Sequence, residues 1–314
     1  MYDRRMSRPM LPLLVILMLL PIGCQRAAQT AIGTIGMADS TQTDTTETTV
    51  TATQDVHGTP AALLTVFFGL DDALPPLSDQ AICSGAAGKD GMPVIFSHEI
   101  DDSTMQAGDF KIVTASGQVG EITCVTLAPA DDPGEARTAL LVGHYGSAED
   151  PPVSVEMVGH VLSKDRQLTF KGVKASVIAL EQGPILSWAE VVPREQWDLG
   201  KAATRPPFGG GDGCPQGTVQ VVRATWAGGV TKPGGDEIDD DERVHYRVTV
   251  RAADGQESDV MPFAIADLGD GDNNHELCLD VDGEPLSVQF SARLMTDPRE
   301  DLNPQTEVTV TPMR

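Results

Sequence analysis

The sequence has few aromatic residues and no segment in which apolar side chains keep a helical spacing. Aromatics form 4% of the 314 residues, whereas glycine occurs 31 times and proline 22 times. Such a chain is poorly suited to large helical cores and well suited to short strands joined by many turns. We therefore expect an all-β protein with few helices.

Basic residues are also scarce. The chain has 22 lysines and arginines against 46 aspartates and glutamates, which gives a formal net charge of −24 at pH 7. A field of this sign repels polyanions, so nucleic acid is excluded as a partner. The composition favours a strongly solvated surface that is compatible with cations or with a basic partner.

The common catalytic signatures are missing. The chain has no G-x-S-x-G elbow, no H-E-x-x-H motif, no P-loop and no dinucleotide fingerprint. Its six histidines are scattered, and the adjacent pairs His98-Glu99 and His275-Glu276 are expected to face solvent on strands. The sequence therefore predicts no catalytic residue.

The most apolar run of the chain lies near the amino terminus and ends in a cysteine. Three arginines precede the apolar residues 11–20, which are too few to cross a bilayer comfortably as a helix. A positive start followed by a short apolar core is typical of a secretory signal. The sequence therefore indicates export from the cytosol.

The end of this run, Leu20-Pro21-Ile22-Gly23-Cys24, resembles the lipobox of bacterial lipoproteins. The resemblance implies that residues 1–23 are a signal peptide and that fatty acids such as palmitate on Cys24 anchor the protein to a membrane. Two or more acyl chains give stable membrane anchoring, because each buried CH2 contributes about 0.8 kcal/mol. Gln25, rather than Asp, follows the cysteine, which in this family favours the outer membrane in a Gram-negative cell. A plain secretory signal and an uncleaved anchor are the alternatives.

The remaining chain divides into a tether and two folded segments. Residues 24–59 are rich in Thr and Ala and have hardly any large apolar side chain, so they are predicted to be a disordered tether. Residues 60–200 and 214–314 contain short apolar or alternating runs separated by turn residues, which predicts two β-sandwich-like domains. The Pro/Gly-rich residues 201–213 form the predicted linker.

Individual strands can be placed within these two segments. Eight strands are expected in the first segment, the last over 184–192, and six in the second, including one over 257–266. Asp254-Gly255 and Asp282-Gly283 lie between such runs and are predicted to be hairpin turns.

Residues 94–130 resemble the bacterial Ig-like domains of S-layer and other surface proteins. The similarity is carried by Phe96-Ser97, Asp102-Ser103-Thr104, Phe110-Lys111-Ile112 and Pro129-Ala130. The resemblance implies an Ig-like β-sandwich and no catalytic residues.

Apart from Cys24, four cysteines remain. Two of them, Cys83 and Cys124, fall in the first predicted domain, and two, Cys214 and Cys278, fall in the second. An even number of cysteines in an exported chain indicates disulfides. Pairing within each domain is favoured; free buried thiols and a zinc site are the alternatives, although no C-x-x-C spacing supports zinc.

Two acidic stretches are candidates for cation binding. Oxygen ligands close in sequence suit calcium, and the candidates in the first stretch are Asp267, Asp270, Asp272, Asn273 and Glu276. An ordinary solvated acidic loop is the alternative interpretation. The second stretch, residues 236–242, is predicted to be a mobile loop.

These features favour a lipid-anchored, non-catalytic protein of the cell envelope. Its β domains are expected to bind or present a protein or glycan partner through their faces and edge strands. A structural envelope spacer is one alternative. An extracytoplasmic hydrolase with a site between the two domains is another.

Overall fold

The computed structural model describes residues 58–201, 211–269 and 271–312. The predicted signal peptide, Cys24 and nearly all of the predicted tether lie outside the described residues, as do most of the predicted linker and Asp270. Within the described ranges, no helix is both long enough and apolar enough to span a bilayer.

The described part of the chain is built mainly from strands, which confirms the all-β prediction. It contains one short α-helix, α1, over Ser78–Ala81. Short 3₁₀ helices span Asp102–Thr104, Ala107–Asp109, Arg194–Gln196 and Asp240–His245. The strands are β1 (Leu63–Val66), β2 (Asp90–Phe96), β3 (Phe110–Thr114), β4 (Glu121–Thr126), β5 (Thr138–His144), β6 (Pro152–Met157), β7 (Lys174–Ser176), β8 (Leu186–Val191), β9 (Gln220–Trp226), β10 (Tyr246–Arg251), β11 (Glu257–Val260), β12 (Ala264–Ala266), β13 (Asn274–Leu279), β14 (Glu284–Phe290) and β15 (Thr306–Thr311).

Strands β1 to β7 form two sheets that share one core. One sheet has the order β1-β2-β5-β4 and the other has the order β3-β6-β7. Side chains from both sheets, including Phe68, Phe96, Phe110 and Met157, pack in a single buried cluster. The strands follow the two-residue alternation of side chains, so each sheet turns its apolar face towards the other. We call this unit the first sandwich.

The later strands form one curled eight-stranded sheet whose edges are β11 and β12. Its order is β11-β10-β14-β15-β8-β9-β13-β12, with β15 and β8 parallel and the other pairs antiparallel. The two halves of this sheet share a buried cluster that includes Trp226, Tyr246, Leu277 and Phe290. Trp226 and Phe290 meet edge to face with ring centroids 5.2 Å apart. We call this unit the second sandwich.

The chain passes from the first core to the second earlier than the sequence pattern indicated. Leu180 belongs to the core of the first sandwich, whereas Leu186 belongs to that of the second. The connection packs closely against another segment, because a Cβ on Gly183 would overlap the backbone of Leu302. Strand β8, predicted as the last strand of the first domain, therefore pairs with β9 and β15. The exact domain boundaries stay a prediction.

Two local predictions in the second sandwich were wrong. The single strand predicted over 257–266 is divided into β11 and β12, which lie at opposite edges of the sheet. Asp282-Gly283 joins β13 to β14, but these strands pair with other partners, so the turn is not a hairpin. Asp254-Gly255 does close a hairpin, between β10 and β11. Turn residues mark a reversal of the chain but do not decide whether its two arms pair.

The structure contains two disulfides, Cys83–Cys124 and Cys214–Cys278, with Cα atoms 6.8 Å and 5.8 Å apart. These are the two pairs that the sequence favoured. Cys214 and Cys278 are fully buried and pack against Trp197 and Val221. The second bond therefore ties the segment after the predicted linker to the centre of the second sandwich.

The acidic stretch 236–242 is more ordered than the mobile loop that its charge predicted. Residues Asp240–His245 form a 3₁₀ helix whose start carries a capping box between Asp239 and Glu242. Lys232 lies 2.5 Å from Asp239 and 3.6 Å from Glu242, so it offsets part of the negative charge. The carboxylates accept hydrogen bonds from backbone N–H groups at the start of the helix, and these bonds offset the repulsion between the like charges.

Candidate functional site

A loop of the first sandwich covers one face of the second. Residues 127–137, here called the junction loop, connect β4 to β5. Arg223 on β9 donates a hydrogen bond from Nη2 to the carbonyl of Pro133 in this loop, at 3.2 Å. Gly134 has a φ of +95°, and a Cβ at this position would overlap the Arg223 guanidinium. Every residue of β9 and β13 is buried, on both faces of the sheet.

Arg223 is the centre of a buried charge cluster that joins the two sandwiches. Its guanidinium lies 3.0 Å from Glu276 on β13, 3.5 Å from Glu190 on β8 and 3.8 Å from Glu135 in the junction loop. The Arg223 side chain is 4% exposed, and that of Glu135 is 1% exposed. Arg137, also in the junction loop, reaches the other oxygen of Glu190 at 3.0 Å. We call these five side chains the charge cluster.

Two carboxyl groups of the charge cluster, those of Glu135 and Glu276, have a raised pKa. Burial, followed by the negative charges of Asp272 and Asp267, raises the pKa of Glu135 well above its usual value. Burial also raises the pKa of Glu276 to about 7, although Arg223 opposes the shift. Burial alone would lower the pKa of Arg223, but the surrounding carboxylates raise it. One guanidinium thus opposes the effect of burial on the two most buried acids of the cluster, Glu135 and Glu276.

Beside the charge cluster, an open cleft of about 450 Å³ separates the two sandwiches. We call it the junction cleft. The first sandwich contributes Ser97, His98, Glu99, Gly134, Arg137, Ser163, Lys164 and Asp165, and the other side contributes Trp188, Glu190, Val191, Pro193, Gln196, Thr311 and Pro312. This volume lies within the range of small-molecule sites, and the lining combines an aromatic ring with many polar groups.

A bulge in β8 positions the aromatic ring of the cleft. The register of β8 against β9 shifts between Leu186 and Trp188, which leaves Ser187 as an extra residue. Ser187 accepts a hydrogen bond from the hydroxyl of Thr65 on β1, at 2.9 Å. A bulge redirects the side chains beside it, and here Trp188 lines the cleft. The guanidinium carbon of Arg137 lies 4.4 Å from the centre of the indole ring.

The stacked pair of Arg137 and Trp188 carries hydrogen-bond donors without acceptors. Nε of Arg137 and Nε1 of Trp188 are both buried and have no hydrogen-bond partner among the described residues. The other guanidinium nitrogens of Arg137 are paired, with the carbonyl of Phe96 and the carboxylate of Glu190. A buried donor without a partner costs about 1–3 kcal/mol. This cost is avoided where an ordered water or another group supplies the acceptor.

The rim of the cleft carries charges of both signs. Lys164 pairs with Glu99 at 2.7 Å, and the lysine side chain is 58% exposed. His98 Nδ1 lies 2.9 Å from the hydroxyl of Ser97. The side chains of Asp165 and Gln196 complete the polar rim. A ligand that both donates and accepts hydrogen bonds would find partners for each role here.

The predicted calcium ligands lie close in sequence but have separate partners in the structure. Glu276 is paired with Arg223, and the Asn273 amide donates to the carbonyl of Trp226 at 2.6 Å. Asp272 accepts hydrogen bonds from the backbone and side-chain amides of Asn274. Asp267 adds negative charge near Glu135. Asp270 lies outside the described residues, so calcium binding by this set stays a prediction.

The two His-Glu pairs are less exposed than expected. His98 and Glu99 are half-buried in the wall of the cleft, and His275 and Glu276 are each only 4% exposed. Both residues of the second pair were expected to face solvent, and this expectation was wrong. His275 points into the core of the second sandwich, where it contacts Tyr246. Glu276 lies on the opposite face, where it pairs with Arg223.

His275 ends a buried hydrogen-bond chain in the core of the second sandwich. The indole Nε1 of Trp226 donates to the hydroxyl of Tyr246 at 2.8 Å, and this hydroxyl lies 2.7 Å from Nδ1 of His275. Because the indole can only donate, the Tyr246 hydroxyl is left to donate to Nδ1. Burial lowers the pKa of His275 to about 4. The residue is therefore a neutral, structural histidine.

A further group of ligand-type side chains lies on the first sandwich. One ligand atom each of Asp72, Asp90 and His144 lies within 4.8 Å of the others. Burial raises the pKa of Asp90, which accepts hydrogen bonds from the backbone N–H groups of Asp72 and Tyr145. His144 Nδ1 lies 3.2 Å from Asp72 Oδ1. These contacts pair the polar atoms with one another, and we assign no metal to the group.

Comparisons with known proteins add little about function. No protein-family model matches the sequence, and no curated protein matches it significantly. Among solved structures, the chain is similar to the N-terminal part of the bacterial S-layer protein SbsC, with 11% identity over 80% of this chain and 44% of that one, and a TM-score of 0.27. The structure of domains 1–6 of SbsC also gives a TM-score of 0.27, with 12% identity over 81% of this chain and 41% of that one. The chain thus spans less than half of these proteins, and similarity at this level supports no conclusion about function.

The main residues of the junction cleft and the charge cluster were not predicted as a site. Arg137, Trp188 and Glu190 of the cleft and Arg223 of the cluster are distant in sequence and match no motif. The signal that the sequence does contain is chemical: Glu190 and Arg223 are charged residues inside otherwise apolar strands. A charge in such a run is rarely buried without a partner, so it indicates a contact across the fold.

Proposed function

We propose that this chain is an extracytoplasmic, lipid-anchored protein of the cell envelope that binds a glycan in the junction cleft without catalysing a reaction. Two intramolecular disulfides support an oxidising compartment outside the cytosol. The lipobox-like segment ending at Cys24 supports the anchor. A tether of residues 24–59 would behave as a coil spanning roughly 30–35 Å, which lifts the cleft clear of the headgroups.

The observation that carries the glycan proposal is the Trp188 ring in a cleft that is otherwise lined largely by polar and charged side chains. A saccharide hydroxyl accepts a hydrogen bond from a donor such as Lys164 and donates to carboxylates such as Glu99 and Asp165 in the same cleft. The indole also offers an apolar surface for the carbon-bound face of a sugar ring, with a polar tip for orientation. An open site with this many polar side chains suits a glycan better than an apolar molecule.

The charge cluster holds the two walls of the cleft in fixed positions. Arg137 links the first sandwich to Glu190 on β8, and Arg223 links β9 to the junction loop. Because both links are largely buried, solvent does not compete with them. A preorganised cleft avoids part of the ordering cost of binding.

A glycan array followed by calorimetry on each hit tests the proposal. We expect the protein to bind a subset of saccharides, and Trp188→Ala to weaken this binding by about 30-fold, because truncating a central tryptophan costs about 2 kcal/mol or more. Trp188→Phe should have an intermediate effect, since it keeps an aromatic ring but offers a smaller apolar surface to the sugar.

Two exposed lysines provide a matched control for this experiment. Lys164→Ala alters the rim of the cleft, whereas Lys171→Ala changes an exposed lysine that does not line it. Only the first should change glycan affinity. If folded protein binds no saccharide, or if Lys171→Ala weakens binding as much as Trp188→Ala, the cleft is not a glycan site and a structural spacer becomes the better interpretation.

The anchor has a separate test. Cells that express the full chain and are fed an alkyne analogue of palmitate should incorporate the label into the wild-type protein, which should partition with membranes. Cys24→Ser should remove both the label and the membrane association, whereas Cys83→Ser should leave the label in place. An unlabelled wild-type protein would contradict the lipid anchor without affecting the cleft.

A further inference from the structure

A second pocket, distinct from the junction cleft, lies on the outer side of the sheet β1-β2-β5-β4. It has a volume of about 440 Å³. Its apolar walls are formed mainly by Phe67, Leu70, Leu74, Leu77, Ile82, Leu127 and Leu140. Loops of the second sandwich close it at Gly228, Gly229 and Asn273. We call it the apolar pocket. A concave site of this size, with few polar groups, is the usual form of a small-molecule site.

Glycines keep the apolar pocket open. Gly69, Gly91, Gly228 and Gly229 all line it, and each leaves room that a side chain would occupy. At Gly229 a Cβ would meet no atom within 4 Å. Leu77, at the start of α1, lines the pocket and is 65% exposed, so apolar surface is in contact with water. An occupant with a hydrocarbon part would remove this surface from water.

The charged side chains that line the apolar pocket are all acidic among the described residues. The charged residues that line it are Asp131 and Asp272, and no Lys, Arg or His is among the described lining residues. Thr138 also lines the pocket, is 5% exposed, and its hydroxyl has no hydrogen-bond partner in the part of the chain that the structure describes. Carboxylates and a free hydroxyl oxygen accept hydrogen bonds, which an ammonium group donates. The net charge of −24 adds to the attraction of a cation.

We propose that the apolar pocket binds an amphiphilic amine, with its hydrocarbon chain against the leucine walls and its ammonium group towards Asp131 and Thr138. This site is independent of the junction cleft and of the glycan proposal. The hydrocarbon part supplies most of the affinity, and the acidic mouth selects the cationic head group over neutral or anionic ones.

Three probes of equal chain length test the proposal: n-octylamine, 1-octanol and n-octanoate. Calorimetry is performed on the purified protein at physiological ionic strength, with Cys24→Ser in every sample so that no attached acyl chain competes for the pocket. We expect octylamine to bind at least about 10-fold more tightly than octanol, and octanoate to bind most weakly. Equal affinity for the three probes, or no binding of octylamine to folded protein, would overturn the proposal.

Two glycine substitutions separate the pocket from general attraction to an acidic surface. Gly229→Phe fills the pocket without changing the net charge and should weaken octylamine binding at least about 10-fold. Gly108→Phe is the matched control, because a Cβ at Gly108 also meets no atom within 4 Å and this glycine does not line the pocket. Asp131→Asn should lower the affinity for octylamine to nearly that for octanol and leave the affinity for octanol unchanged. Octylamine binding that survives Gly229→Phe would refute the site.

Discussion

Arg223→Met should lower the free energy of unfolding by about 3–5 kcal/mol, one of the two largest effects that we expect in this protein. The substitution removes the guanidinium that Glu276, Glu190 and Glu135 share, so Glu276 and Glu135 lose their buried counter-charge and Glu190 keeps only Arg137. Methionine has a similar length, so the loss of volume is small. Urea denaturation followed by circular dichroism measures the change.

The effect of Arg223→Met should grow as the pH rises. The pKa of Glu276 is already raised to about 7 in the folded protein, so folded molecules keep a proton that unfolded molecules release above about pH 4.5. Stability from this group is therefore greatest in acid and is lost as the pH rises from about 4.5 towards 7. Without Arg223 the folded pKa rises further, so the variant should be closer to wild type at pH 5 than at pH 8.

Two substitutions serve as controls for Arg223. Arg251→Met breaks ion pairs with Glu257 and Glu284 that are exposed to water, and it should have little effect. Glu135→Gln should also be mild, because the raised pKa of Glu135 favours a neutral side chain in the folded protein. If Arg223→Met is no more destabilising than Arg251→Met, the charge cluster does not hold the sandwiches together.

Removal of the Cys214–Cys278 disulfide should cause the second large decrease in the free energy of unfolding. The bond closes a loop with a sequence separation of 64 residues. Cross-linking a loop of this length restricts the unfolded chain by about 4 kcal/mol in the chain-entropy model. The double variant Cys214→Ala, Cys278→Ala should lose about this amount, with a further loss from the space left beside Trp197 and Val221. Urea denaturation again provides the measurement.

The other disulfide offers a matched comparison. Cys83–Cys124 spans 41 residues, so its entropic contribution should be nearly the same, but both cysteines are only half-buried. Cys83→Ala with Cys124→Ala should therefore be somewhat less destabilising than the buried pair. An unchanged midpoint for Cys214→Ala, Cys278→Ala, measured under oxidising conditions, would show that this bond does not stabilise the fold.

Much of the secondary structure could be predicted because strand patterns are local. In β10, Tyr246, Val248 and Val250 are buried and Arg247 between them is exposed, as the alternation of the sequence indicates. In β13 every residue is buried, and here the same reasoning failed for His275 and Glu276. The alternation of side chains indicates that one face of a strand is apolar. A polar residue on the other face can be exposed to solvent or can pair with a buried partner, and the pattern does not distinguish the two.

The sequence by itself determined the all-β class, the approximate positions of most strands and the favoured cysteine pairs. These depend on side-chain alternation, turn residues and the parity of the cysteines. The tertiary structure decided that the junction loop covers β9, that Arg223 serves several acids, and that Trp188 lines a cleft. The contact between Arg223 and Pro133 joins residues 90 positions apart. Such contacts depend on how two sheets dock, and no local pattern of side chains records that geometry.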